Sequence, residues 1–355
     1  MNAVSNSPTT TAEQIMWDAL RNGRDFANEY PLVFGENSGA KIVTTENTSG
    51  QIASTCAALL RTLKVGTTSI PVGFIGSVAT REEDRGQGYA SDVLHKAETW
   101  LAEQGALMAV LWANDAAFYE RRGYLPMGTE YDFIIEREHA DLLPEPTSVR
   151  RAELGDFEAI HRLYMSNPNR VERTLDETRQ LMAVPDMNLL VRERHGEVVA
   201  YAARGRGEDL QQVMHEWAGE CQDVLALSRA QLETIGGGKL IMMTPSNRED
   251  VARFLLTAGI SGIMGILGMG KVISLPGMAS FLTQHSGEGC TFEAIGNGLH
   301  LTGPTGNLDM EPSDALLAVV PPRGERGVVE AFEQLTGGTF PDLPFNAFVW
   351  GLDSI

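Results

Sequence analysis

The chain has 355 residues, 43% of them hydrophobic, with 28 Lys and Arg against 47 Asp and Glu, for a formal charge of -19. That length exceeds what one hydrophobic core usually organises, so two or three domains are expected, and the acid excess argues against nucleic acid as a partner because phosphates need basic side chains. No apolar run reaches the roughly 18 residues of a membrane span, and the opening MNAVSNSPTTTAEQ has no basic and apolar leader, so a soluble, cytoplasmic protein with no membrane partner is expected. Cys56, Cys221 and Cys290 are far apart and form no CxxC pair, which fits buried thiols and no metal.

From the N-terminus, Glu13 to Tyr30 has apolar residues at helical spacing and predicts one or two amphipathic helices. Strands are expected at Lys41 to Thr45, Gln51 to Val65 and Ser69 to Thr80, separated by Asn, Gly and Thr clusters suited to antiparallel turns. A helix over Ala90 to Gln104 buries Val93, Leu94, Ala97 and Leu101 and stops at Gly105. A strand from Leu107, a short helix over Asp115 to Arg122 and a last strand over Tyr131 to Glu136 complete the first unit. The segment HADLLPEP, rich in proline and acid, reads as a linker.

The second unit follows with a helix around Phe157 to Tyr164, strands at Leu189 to Glu193, Val198 to Ala203 and Gln212 to Trp217, and a helix over Cys221 to Thr234. A strand over Lys239 to Thr244 and a helix over Glu249 to Ala258 end it; the order of elements echoes the first unit without repeating a motif. Beyond Lys271, helices near Leu275 to His285, Ser313 to Val319 and Val328 to Leu335 accompany short strands at Cys290 to Ile295 and Leu299 to Thr302. The final PDLPFNAFVWGLDSI is apolar almost to its last residue, which predicts a docked tail where chain ends usually fray.

The sharpest chemical signal is VATREEDRGQGYA, Val78 to Ala90, between a strand and a helix. Gly86 and Gly88 let backbone N–H groups approach a pyrophosphate, the helix N-terminus adds unpaired donors, and Arg85 adds a full charge. The spacing Arg85-x-x-Gly88-x-Ala90, followed at the proper distance by NDAAFYERRGY (Asn114 to Tyr124), resembles the acetyl-CoA motif of the Gcn5-related N-acetyltransferase (GNAT) family. The resemblance implies an α+β fold: a GNAT acetyl-CoA-binding catalytic domain over 1–138, with a mixed, mainly antiparallel sheet, and a degenerate GNAT-like domain over 147–270. A small sterol-carrier-like module with a docking tail would occupy 271–355, the organisation of the multi-domain Eis-type acetyltransferases.

What the resemblance implies for the site is specific. Main-chain groups of Val78 and Thr80 would pair with the pantetheine arm of acetyl-CoA, the donor substrate. Arg85, Gly86, Gln87, Gly88, Tyr89 and Ala90 would hold its pyrophosphate, and Asn114 and Phe118 would line its thiol end. Tyr119 aligns with a tyrosine that protonates the departing thiolate, a task open to a phenol that stays protonated at neutral pH. Glu82, Glu83 and Asp84 beside the loop must face solvent, or like charge would weaken binding. No acid lies in Ser69 to Thr80 to serve as base; in Eis-type enzymes the chain's terminal carboxylate enters the first domain's site, which makes Ile355 the candidate.

The second unit offers HEWAGECQDV, without a second glycine, where a phosphate loop would fall, so it should not bind acetyl-CoA. His215 and Glu216, adjacent on a strand, point to opposite faces and read as structural. The expected activity is direct acetyl transfer to a primary amine of a cationic small molecule, which the acidic surface suits; an acetyl-CoA sensor without turnover and a lipid-binding C-terminal module are the alternatives. Eis-type proteins form homo-oligomers; the sequence leaves the state of this chain open.

Overall fold

The computed structural model describes residues 11–355 other than 36, 37, 114 and 237. Helix α1 (Ala12–Arg21) is capped by Thr11, whose hydroxyl accepts from Gln14 N, and buries Ile15 and Met16 against Phe26 and Ala79. The short α2 (Pro31–Phe34) follows. A meander of β1 (Lys41–Glu46), β2 (Ile52–Val65) and β3 (Thr68–Thr80) leads through the Gly86 and Gly88 turn into α3 (Tyr89–Glu103) and then β4 (Met108–Leu111), parallel to β3. Helix α3 lays Val93, Leu94, Ala97 and Leu101 on the sheet, the apolar face that its spacing predicts. Short α4 (Ala116–Glu120), β5 (Leu125–Met127) and β6 (Glu130–Ile135) come next.

The second unit comprises β7 (Val149–Arg151), α5 (Phe157–Met165), β8 (Asn169–Val171), α6 (Leu175–Met182), β9 (Asn188–Arg194), β10 (Glu197–Arg206) and β11 (Asp209–Ala218). After them come α7 (Cys221–Glu233), β12 (Leu240–Thr244), α8 (Glu249–Thr257), β13 (Gly262–Gly265) and β14 (Gly268–Val272). It repeats the plan of the first: a meander, β9 to β11, then a crossover helix, α7, into a parallel strand, β12.

The two sheets trade strands. The first runs β1-β2-β3-β4-β14-β5, with β8 also pairing with β2; the second runs β13-β6-β12-β11-β10-β9-β7. Thus β6 leaves its own unit to lie between β12 and β13, and β14 returns to lie between β4 and β5. The strand expected at Tyr131 to Glu136 forms, but as part of the second sheet. The crossing segments touch: Leu267 N donates to Met127 O at 3.0 Å, and a Cβ on Gly128 would meet Leu267 Cβ at 2.7 Å. Gly128, at φ +64°, permits both the turn and this approach.

The last module joins α9 (Leu275–Gln284), β15 (Thr291–Ile295), β16 (Gly298–Thr302), β17 (Asn307–Met310), α10 (Pro312–Val319) and α11 (Gly327–Thr336). Its interior is filled by Phe292, Phe332 and Phe340, all buried, with ring centroids 5.9 to 6.4 Å apart. The tail then leaves this module and docks on the second sheet. Trp350 packs edge-on against Trp217 at 5.3 Å, and Gly351 N donates to His215 O at 3.0 Å. Asp353 accepts from Arg173 Nε at 2.6 Å and Tyr164 Oη at 2.7 Å, all three buried. Among the described residues no helix is long and apolar enough to cross a membrane, and no three His, Cys, Asp or Glu side chains gather to hold a metal ion.

Candidate active site

Strands β3 and β4 pair only from Val72 with Met108 to Phe74 with Val110, and then part. On its other side β3 slips register against β2: Ala57 faces Gly76 and Thr55 faces Ala79, which leaves Ser77 and Val78 as a bulge, Ser77 at φ +51°. Between the parted strands opens a cavity of about 1130 Å³. It is lined by Gly76 to Thr80 of β3, the loop from Asp84 into α3, Leu111 to Ala113 at the end of β4, and Phe118, Tyr119 and Arg122. From the second sheet come Glu130, Arg206, Asp209 and Met243, and from the tail Ser354 and Ile355.

The phosphate-loop candidates collect at one part of this wall. Gly86 (φ +77°) and Gly88 (φ +94°) sit in left-handed backbone, and a Cβ on either would meet open space. Gly88 is the N-cap of α3 and provides no side-chain cap, so the helix N-terminus presents its donors to the cavity side with Arg85 exposed beside it. Val78, Thr80, Arg85, Gly86, Gly88, Tyr89, Ala90, Phe118, Tyr119 and Ile355 all line the one cavity. Gln87 does not: its side-chain amide turns back to donate to Glu83 O at 3.1 Å. Asn114 lies outside the described residues.

The expectation for the three acids is corrected at one position. Glu82 and Glu83 are exposed, but Asp84 is buried at 6% exposure and lines the cavity. Arg81 Nε at 3.3 Å offsets its charge, and Asn47 Nδ2 donates a hydrogen bond to it at 3.2 Å.

Tyr119 is half-buried, edge-on to Phe118 at 4.9 Å and Tyr124 at 5.9 Å. Burial pushes its phenol above the ordinary value, with nearby Cys56 adding to the rise, so it holds its proton more firmly than a free tyrosine. Behind it Tyr124 Oη donates to Glu98 at 2.9 Å, and Lys271 of β14 closes that network at 2.7 Å. A residue that the sequence reading passed over lies next door. Arg122 stacks its guanidinium 3.6 Å from the Phe118 ring centroid and donates to Ser91 Oγ in the first turn of α3, adding a cation to the loop's side of the cavity.

The tail enters from the opposite direction and ends on β3. A Cβ on Gly76 would lie 2.0 Å from the Ile355 main-chain oxygen and 2.2 Å from its carbon, so only glycine admits the end of the chain there. Glycine inside a strand is itself a sequence sign of close backbone approach. On the far wall the carboxyl of Glu130, the first residue of the exchanged β6, has no hydrogen-bonding or ionic partner among the described residues. Burial, and then the neighbouring Asp132, push its carboxyl up to about 8.

Among the described residues, the turn that leads into α7 offers no open glycine loop like the one before α3. Gly219 at φ +136° is packed against β10, where a Cβ would meet Ala200 Cβ at 2.4 Å. His215 and Glu216 are fully buried: the His215 ring bonds Gly205 O at 3.0 Å, and Glu216 pairs with Arg173 at 2.7 Å and accepts from Tyr201 Oη at 2.9 Å.

Residues 29–127 match the family model described as an acetyltransferase (GNAT) domain, a match that stops just before the crossing at Gly128. No curated protein sequence matches the chain. Among solved structures, a conserved Enterococcus faecalis protein described as a probable N-acyltransferase superposes with a TM-score of 0.63 at 15% identity, covering 94% of this chain and 95% of that one. Eis1 from Mycobacterium abscessus gives 0.58 at 14% identity, again covering 94% and 95%. A GCN5-related N-acetyltransferase from Anabaena variabilis gives 0.58 at 13%, covering 85% and 80%. At such identities the likeness is one of fold.

Proposed function

Because the chain carries an acetyltransferase domain of the GNAT family in an Eis-like multi-domain fold, we propose that it transfers the acetyl group of acetyl-CoA directly to a primary amine of a cationic small molecule. The observation that carries this reading is the single cavity shared by the Gly86 to Ala90 turn, the Tyr119 phenol and the Ile355 terminus. In it the loop amides, Arg85 and the N-terminus of α3 take the pyrophosphate, and the bulged main chain at Ser77 and Val78 faces the thioester arm. The Ile355 carboxylate on Gly76 accepts the proton that the amine loses as its nitrogen bonds the acetyl carbon. The carbon–sulfur bond then breaks, Tyr119 gives its proton to the thiolate, and solvent carries the carboxylate's proton back to the phenolate. Amide and free thiol leave, so atoms and charge balance. The Glu130 carboxyl, facing the same cavity, can accept a hydrogen bond from an ammonium and pair with it once ionised near pH 8, which supports a cationic acceptor.

Phe292, Phe332 and Phe340 pack against one another at the centre of the third module, which favours acyl transfer over the lipid-binding alternative. A thiol-release assay with acetyl-CoA against polyamines, aminoglycosides, amino acids and peptides tests the reading. Tyr119→Phe and a chain lacking Ser354 and Ile355 should each lose about 100-fold in kcat, the size expected for one acid or base. Tight acetyl-CoA binding with no turnover on any acceptor would instead make the protein a sensor.

A further inference from the structure

The end of the tail is fixed by one buried cation that lies outside the phosphate loop. Arg206, the last residue of β10, is 2% exposed. Its Nε donates to Glu29 O at 2.8 Å; its Nη1 donates to Gly351 O and Ser354 O, both at 2.9 Å, and reaches Ser354 Oγ at 3.3 Å. The guanidinium lies 3.9 Å from the Tyr30 ring centroid. Among the described residues no carboxylate forms an ion pair with it; its charge is met by main-chain carbonyls of the N-terminal segment and of the tail. Removing a cation from water is costly, and a fully buried arginine that binds carbonyls from two distant segments is suited to fixing their relative position. The bond to Ser354 O falls one peptide before the group that rests on Gly76.

We propose that Arg206 is a positioning residue for acyl transfer: by clamping Gly351 and Ser354 it aims the Ile355 carboxylate at the cleft between β3 and β4. This rests on the reading of Ile355 as the base. The tail up to Asp353 has its own anchors, the Arg173 ion pair at 2.6 Å and the Trp350 packing, so loss of Arg206 frees the last residues and leaves the rest docked.

The test compares full-length wild type, Arg206→Lys, Arg206→Met and a chain with one glycine added after Ile355, with spermidine as acceptor. Folding is checked by circular dichroism and melting temperature. The Arg206 variants should lose roughly tenfold to a hundredfold in kcat while KM for acetyl-CoA stays within about twofold. Their kcat/KM should climb with pH up to the pKa of the free amine, because solvent must then remove the proton. A purely structural arginine would change stability and leave the kcat to KM split and the pH profile of the folded enzyme unmoved. If the added glycine leaves kcat intact, the terminal carboxylate is not the base, and both readings fall. If the glycine abolishes turnover while folded Arg206→Lys keeps the wild-type kcat and pH profile, only the role of Arg206 is overturned. Arg206→Lys keeps the charge, and it decides the matter should Arg206→Met not fold.

Discussion

Glu130 is the residue at which the cavity's chemistry and the fold's stability pull in opposite directions. Its carboxyl is raised to about 8 by burial and by Asp132, against an ordinary value near 4.5. The unfolded chain therefore releases this proton near pH 4.5, while the folded chain keeps it until about pH 8. Between those values the native state holds more protons, so this group's contribution to stability is lost as pH rises. Glu130→Gln should therefore melt higher than wild type, by a margin that widens from pH 5 to pH 8. Above pH 8, where the folded carboxyl is ionised, the same change should raise KM for a polyamine about tenfold, some 1.4 kcal/mol, because a bound ammonium loses its counter-charge. Equal melting temperatures at both pH values would mean that the carboxyl titrates as a solvated one. Gly76 and Asp84 show how legibility varies from residue to residue. Gly73 and Gly76 inside Ser69 to Thr80 look alike in sequence, and nothing there marks Gly76 as the one that Ile355 approaches; nothing in the run Glu82-Glu83-Asp84 distinguishes the one acid that Arg81 and Asn47 bury.

At the scale of elements, periodicity was a good guide where one face is buried. The spacings of α3, α7 and α9, and of the β1 to β3 meander, predict those elements to within a residue or two. Elements held by partners far along the chain were not legible. Strands β8 and β17 are short and carry little alternation, and they exist because β2 and β16 pair with them. Helix α6 went unread although Thr174 and Glu177 form a capping box, a signal available in sequence. The joint of β11 with the tail depends on Arg173, which reaches Glu216 and Asp353 across 43 and 180 positions of sequence. His215 lies in this joint, its value depressed to about 4 by burial, with Nδ1 buried and without a hydrogen-bond partner among the described residues. The unfolded chain takes up that proton near pH 6.5 and the folded chain only near pH 4, so stability falls as pH drops through this window, by up to about 3 kcal/mol. In thermal melts between pH 7 and pH 4.5, His215→Gln should flatten part of that loss; a slope identical to wild type would locate the acid sensitivity elsewhere.

At the scale of the whole molecule, the exchange of β6 and β14 makes the two large sheets one construction. The periodicity of Glu130–Ile135 shows that it is a strand, but an alternating strand is equally at home between β4 and β5 or between β12 and β13, so the choice of sheet could not be read. The physical consequence is testable. A fragment of residues 1–138 has no β14 to fill the gap between β4 and β5, and its β6 has no β12 to pair with. It should give no cooperative melting transition and no measurable heat on titration with acetyl-CoA, whereas the full chain gives both; a folded, ligand-binding fragment would refute the interdependence. The exchange also sets a timetable for synthesis. The strand that completes the first sheet ends at Val272, so a ribosome that has already translated the whole Val78 to Ala90 turn still holds a nascent chain with two open sheet edges. Through more than a hundred further codons β6 must wait unpaired, which makes the growing chain, rather than the finished protein, the stage at which it most needs a chaperone.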